Sequence, residues 1–151
     1  TVFSIAELEA VLRTWMIPVN RIDGNRLVVD LGDKVLFADS SIALDSVAQA
    51  FLESLAVYID KSLPIYVRVI GHTDSRGSAD FNARISERRA EVVARFLASK
   101  GIPDKYLSHE GKGETEPKVD SSQASASGLY ANRRIELELV KPGVVNGTSG
   151  P

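Results

Sequence analysis

The sequence predicts an α/β sandwich with helices packed on one face of a mixed sheet, and three observations carry that expectation. Two long stretches repeat their apolar residues at helical spacing, one ending before Pro64 and one before Gly101. Between them runs Ile65 to Ile70, almost continuously apolar and β-branched, as a strand in the middle of a sheet is. Near the end, Ile135, Leu137 and Leu139 alternate with Arg134, Glu136 and Glu138, which gives a strand one dry and one wet face. Strands separated by helices require β-α-β crossovers.

The elements follow in order. Ser4-Ile-Ala-Glu7 has the form of a capping box, and Ile5, Leu8, Val11, Leu12 and Trp15 recur at helical spacing until Pro18. Asp23-Gly24 is a turn signal, after which Leu27, Val29 and Leu31 alternate with Val28 and Asp30 in a strand. Gly32-Asp33 turns again into Val35-Leu36-Phe37, and the two apolar runs are expected to pair as a hairpin. Asp45-Ser46 caps the next helix, whose stripe is Val47, Phe51, Leu55, Tyr58 and Ile59. A further helix starts near Asp80 and is expected to bury Phe81, Ile85, Val92, Val93, Phe96 and Leu97, with Arg84, Arg88 and Arg95 turned to water. It stops at Lys100-Gly101, ahead of Pro103. Residues 106–111 form a weaker strand candidate, and the Gly/Ser/Glu-rich stretch from Lys112 to Gly128 reads as a long loop.

With 151 residues, 44% hydrophobic and 25% charged, the chain has the composition of one domain with a proper core. A net charge of -2 supplies no basic field for nucleic acid, and the absence of cysteine removes disulfides, thiolate chemistry and Cys-based zinc sites. No apolar run approaches the roughly 18 to 20 residues that cross a bilayer. The start at Thr1 rather than Met reads as a trimmed chain, with room for a membrane anchor upstream. The tail from Pro142 to Pro151 is rich in turn formers and reads as a disordered end or an expression scar.

Chemistry concentrates where the apolar strand runs into Gly71-His72-Thr73-Asp74 and then into a cationic helix, because strand-to-helix loops at carboxyl ends of strands are where α/β folds keep ligands. Taken alone, Asp74 reads as a turn cap. His72 and His109 are too scattered for a metal site. Ser75 and Ser78 lack a nucleophile elbow, and Gly71 and Gly77 lack the Gly-Lys-Ser/Thr ending of a phosphate loop. Arg88 reads as a solvated helix charge. Arg89 differs, since it lies on the edge of the buried stripe, where a guanidinium must find a partner. Alternation puts Arg133 on the side of Ile135, so a second arginine leans inward and the pattern describes an anion pocket. With Asp74 opposite, such a pocket presents both charges to one small zwitterion.

These motifs, namely Gly71-His-Thr-Asp74-Ser-Arg-Gly77, Phe81-Asn82, Ile85-Ser-Glu-Arg-Arg-Ala90, Gly101-Ile102, Gly111-Lys-Gly-Glu114, Pro117 and Ala131-Asn-Arg-Arg134-Ile-Glu, together resemble the OmpA-like (OmpA/Pal/MotB) peptidoglycan-binding domain over residues 35–140. Residues 28–44, centred on Phe37, are similar to the first strands of the MotB-like branch. The resemblance implies a β-α-β-α-β domain over 23–141 in the bacterial periplasm, preceded by a helix or linker over 1–22 and followed by the 142–151 tail. It implies noncovalent binding of the peptidoglycan stem peptide at meso-diaminopimelate, no catalysis and no cofactor or metal. The full-length protein is then anchored to the inner or outer membrane through a segment outside this chain, and MotB-like relatives suggest a homodimer. Carried over by position, Asp74 takes the ammonium and Arg89 the carboxylate, Asn82 and Arg133 border the pocket, Thr73 supplies polar contacts, and Phe37 and Ile85 flank the aliphatic chain. The 112–130 loop departs from the family at Leu129-Tyr130, which follow Gly128 where a basic residue is common.

Two other functions compete. A cell-wall amidase or glycosidase would pair Asp74 with Glu87 or Glu114 as two carboxylates across a cleft. A protein-interaction domain of an envelope complex would use the same small α/β scaffold to dock a partner. Residues 1–20 are expected to act as a positioning element that adds nothing to the pocket, their stripe packing on the domain or on a second copy.

Overall fold

The first helix forms where its capping box directs: Ser4 Oγ accepts from Glu7 N, and Glu7 Oε1 accepts from Ser4 N. In the computed structural model, which describes residues 1–38, 40–118, 132–145 and 148–149, this helix is α1 (Ile5–Thr14). Ile5, Leu8 and Leu12 on one face of it are buried in the same core as the sheet. Trp15 just beyond packs edge-on against Phe51 and Tyr58. The stripe that had to be buried somewhere is thus buried on its own domain.

Strands β1 (Val19–Asp23) and β2 (Arg26–Asp30) pair antiparallel around the Asp23-Gly24 turn. The boundary expected between residues 22 and 23 therefore falls inside β1. The hairpin expected between Leu27–Leu31 and Val35–Phe37 does not form. Asp30 Oδ1 accepts from Gly32 N, Gly32 sits at φ +51°, and the chain bends into a 3-10 turn over Gly32–Val35. Val35 and Phe37 are buried as irregular core residues instead. Strand β1 carries no alternation to read, because four of its five residues are exposed.

Helix α2 (Ser46–Lys61) starts at Asp45, whose Oδ1 accepts from Ala48 N at 2.8 Å. Its buried stripe is Ala48, Leu52, Leu55, Ala56 and Ile59, and Val47 is 72% exposed. Two alanines, small enough to let the helix lie close to the sheet, define this face. A reading weighted to large residues rotates the stripe by one position.

Strand β3 (Tyr66–His72) leads into α3 (Ala79–Ser99), which returns to β4 (Leu107–Gly111) parallel to β3. The last long strand, β5 (Arg134–Val140), runs antiparallel between β2 and β3, giving the order β1-β2-β5-β3-β4. The mixed sheet and its β-α-β-α-β arrangement match expectation. In the 142–151 tail, short strands β6 (Val144–Val145) and β7 (Thr148–Ser149) pair with each other. The part of the 112–130 loop that carries Leu129-Tyr130 lies outside the described residues.

One face of the sheet, Leu27, Val29, Val67, Val69, Leu137 and Leu139, is fully buried with Leu52, Leu55, Ile59, Val93 and Leu97 from α2 and α3. The register aligns Val28, Glu138 and Arg68 across the opposite face, and Asp30, Glu136 and Ile70 beside them. Among the described residues, no helix is long and apolar enough to cross a membrane.

Candidate functional site

Two glycines let α3 lie directly on the strands. A Cβ at Gly71 would come within 2.2 Å of Ser86 O, and one at Gly111 within 2.2 Å of Glu87 N. The helix backbone therefore presses on β3 and β4 at Ser86 and Glu87, which fixes Asn82 one turn before, Ile85 immediately before and Arg89 just after. Ser86 Oγ donates to Ala83 O and accepts from Gly113 N, both at 2.9 Å. Thr73 N in turn donates to Gly113 O at 2.8 Å. Helix, strand end and following loop are locked at one point.

Past that point the chain forms a tight Asp-centred turn. Asp74, 5% exposed, accepts from Arg76 N at Oδ1 (2.9 Å) and from Arg76 Nη2 and Nε at Oδ2 (2.6 and 3.1 Å). Arg133 Nε stands 4.0 Å from the same Oδ2. Burial pushes the Asp74 carboxyl upward, but the Arg76 hydrogen bonds and the charges of Arg76 and Arg133 outweigh it and hold the group below the usual carboxylate range. Asn82 Nδ2 donates to Asp74 O and Arg76 O, so the helix holds the loop by its carbonyls. Ser78 caps α3, its side chain accepting from Phe81 N.

Opposite the loop, Arg89 is 7% exposed and donates from Nε to Ser41 O (2.9 Å) and from Nη2 to Ala38 O (2.8 Å). Its guanidinium stacks 5.2 Å from the Phe37 ring centre. Arg133 Nη2 donates to Phe37 O at 2.8 Å. The segment after the 3-10 turn thus serves as a carbonyl rail that orients both arginines.

Between these groups lies a pocket of about 250 Å³, lined by Thr73, Asp74, Asn82, Ile85, Arg89 and Arg133 together with Ser40, Arg76, Gly77 and Phe81. Six of the seven residues singled out in the sequence converge on it, and none of its walls comes from residues 1–20. Phe37 stands apart. It lines a smaller cavity behind, with His72 and Ile135, and reaches the pocket only through Arg89 and Arg133. Phe81, expected in the core, is 41% exposed at the pocket wall, and the first turns of α3 bury Asn82, Ser86 and Arg89 in its place. Arg76 is a pocket residue that the motif reading leaves out, although a position two residues after a turn-capping aspartate is a usable signal. Thr73 Oγ1 is buried and has no hydrogen-bond partner among the described residues.

The histidines part company. His72 Nε2 lies 2.9 Å from Glu136 Oε1 on the sheet face away from the helices, while His109 Nδ1 meets Glu87 Oε1 on α3. Among the described residues no group of three potential metal ligands gathers. Glu136 also accepts from Arg134 Nε at 3.1 Å. Burial raises its pKa, yet the His72 hydrogen bond and the Arg134 charge outweigh that and lower it from 4.5 to about 2.

The profile of the OmpA family matches residues 36–130, well over half of the chain and most of the segment that builds the pocket. The chain belongs to the OmpA family. Among curated relatives, this OmpA-family chain is 31% identical over 134 residues to the probable lipoprotein YiaD of Escherichia coli, a match covering 89% of the chain and 60% of that lipoprotein. Among solved structures it superposes on the cell wall anchor of the T6SS from Pseudomonas aeruginosa with a TM-score of 0.75, 29% identity, and coverage of 90% and 96%. It also superposes on the periplasmic domain of Helicobacter pylori MotB with a TM-score of 0.71 and coverage of 83% and 82%. At 24% identity, that second likeness speaks for the fold.

Proposed function

We propose that this domain binds peptidoglycan noncovalently through the meso-diaminopimelate of the stem peptide, and so anchors a membrane-attached envelope protein to the cell wall in the periplasm. The observation that carries the reading is the convergence of Asp74 with Arg89 and Arg133 on one pocket of about 250 Å³. That volume is small for a ligand site and suits a zwitterionic side chain better than a sugar chain. Asp74 takes the ammonium, Arg89 the carboxylate, and Ile85 packs along the methylenes between them. Thr73 Oγ1 and the Asn82 amide complete the polar rim. Each sheltered charge-assisted bond contributes roughly 1.5–3 kcal/mol, and two opposed charges at fixed spacing select a zwitterion. Membership of the OmpA family, and the likeness to a protein described as a cell wall anchor, support the same reading.

A hydrolase is disfavoured by the state of its carboxylates. Asp74 is held ionised by Arg76, so it is a poor proton donor near neutral pH, and Glu87 is engaged with His109 outside the pocket. The test is co-sedimentation with purified diaminopimelate-type sacculi. The parent chain is expected in the pellet, Asp74→Asn in the supernatant, and no sugar or peptide product in either. Soluble fragments released by the parent but not by Asp74→Asn would point to the hydrolase instead.

A further inference from the structure

Arg76 stands on the carboxylate that an incoming ammonium needs. Its Nη2 and Nε both donate to Asp74 Oδ2, at 2.6 and 3.1 Å, while its backbone N holds Oδ1 at 2.9 Å. Arg133 Nε is already 4.0 Å from Oδ2 on the other side. A third cation cannot approach this oxygen closely while both remain. The two arginines differ in how firmly they are placed: the Arg133 side chain is 8% exposed and tied to Phe37 O, whereas the Arg76 side chain is 51% exposed on the loop. The Asn82 amide grips the loop through Arg76 O, and Asp74 Oδ1 grips it through Arg76 N, so the backbone stays in place whatever the Arg76 side chain does.

We propose that Arg76 is a built-in competitor, capping Asp74 in the empty pocket and turning outward when a ligand ammonium takes its place. The inference rests on the reading of the pocket as a stem-peptide site and adds to it the residue that sets its affinity. The Arg76 end of the pair is half exposed to water, which weakens its hold, so a charged ammonium that gains sheltered contacts displaces it. A neutral amide or hydroxyl offers the carboxylate less than the guanidinium it would replace, so Arg76 also screens out uncharged groups. Apparent affinity is reduced by the fraction of molecules in which Asp74 is capped, a cost that removing the competitor abolishes.

The experiment is calorimetric titration of free meso-diaminopimelate into the parent chain, Arg76→Gln and Arg76→Lys, with NMR observation of the Arg76 Nε–H signal in the parent. The competitor reading expects Arg76→Gln to bind about fivefold tighter, with Arg76→Lys between the two. The Arg76 Nε–H signal of the parent should move on saturation towards the position of a solvated arginine, a readout that stands even if a variant folds poorly. Equal or weaker binding by Arg76→Gln, or an Arg76 signal unmoved by saturating ligand, overturns the competitor while leaving stem-peptide binding intact. A parent chain that binds no diaminopimelate at all overturns both.

Discussion

Two charged regions sit on opposite faces of the same sheet. On the face away from the helices, Arg68 meets Glu110 and Glu138, His72 and Arg134 meet Glu136, and Lys118 meets Asp30 at 2.5 Å. There Arg68 and His72 face carboxylates of neighbouring strands, Arg134 faces one on its own strand and Lys118 reaches back to β2, the pattern of a polar surface that holds itself together. At the end of the helix-covered face, Arg89 and Arg133 are aimed by the main-chain carbonyls of Phe37, Ala38 and Ser41. Burial alone does not separate the two regions, because Arg134 and Arg133 are each 8% exposed. What separates them is the cavity, which Arg89 and Arg133 line together with Asp74.

The largest expected effect comes from the support beneath the pocket. Gly71→Ala drives a Cβ into Ser86 O and must lift α3 from the sheet. A loss of about 3 kcal/mol or more in denaturant-measured stability is expected, with weakened peptide binding, while the pairs on the opposite face persist. A variant as stable as the parent would show that α3 is not seated through this contact.

Asp74→Asn comes next and addresses the pocket alone. It keeps the shape of the turn and removes the charge, so binding of a diaminopimelate stem peptide should fall about 10- to 100-fold, with a native circular dichroism spectrum. Arg89→Ala is a less clean variant, because the buried Arg89 also pins Ala38 and Ser41 through their carbonyls and covers the Phe37 ring. Retained affinity in Asp74→Asn would place the ligand elsewhere.

A smaller effect tests the opposite face. Glu136 titrates at about 2 in the fold against an ordinary 4.5, so its contribution is complete above about pH 4.5 and is lost as pH falls through about 2. Glu136→Gln should therefore flatten the acid limb between those values, by on the order of 1–2 kcal/mol after solvent screening. Peptide binding at neutral pH should not change. An unchanged acid limb would mean that the His72 and Arg134 contacts do not persist in solution.

Much of both regions was legible in the sequence, for identifiable reasons. The alternation of Ile135, Leu137 and Leu139 placed β5, and the position of Arg89 beside Ile85 on one stripe put a guanidinium at the pocket wall. Arg133 followed from the same period-2 rule. What was illegible depended on acceptors that have no side-chain signature. The carbonyls of Phe37, Ala38 and Ser41 belong to an irregular segment, and a sequence that expects Val35–Phe37 to be a strand gives them to a neighbouring strand. The resemblance sets Phe37 along the ligand's aliphatic chain, whereas its ring stacks on Arg89 and lines the smaller cavity. The edge strand β1 was missed because its residues face water, and α1 was set apart because nothing in its stripe says which surface it covers. Leu8 and Leu12 at 0% exposure show that α1 belongs to the core of the domain.

The most direct measurement is a paired titration of the parent chain with two stem peptides that differ only in carrying diaminopimelate or lysine. The lysine peptide keeps an ammonium for Asp74 but lacks the carboxylate that Arg89 would hold, a charge-assisted bond contributing roughly 1.5–3 kcal/mol. Diaminopimelate peptide should bind, and lysine peptide should bind at least about tenfold more weakly. Equal affinities, or binding of neither peptide, would contradict a pocket built to read both ends of a zwitterion.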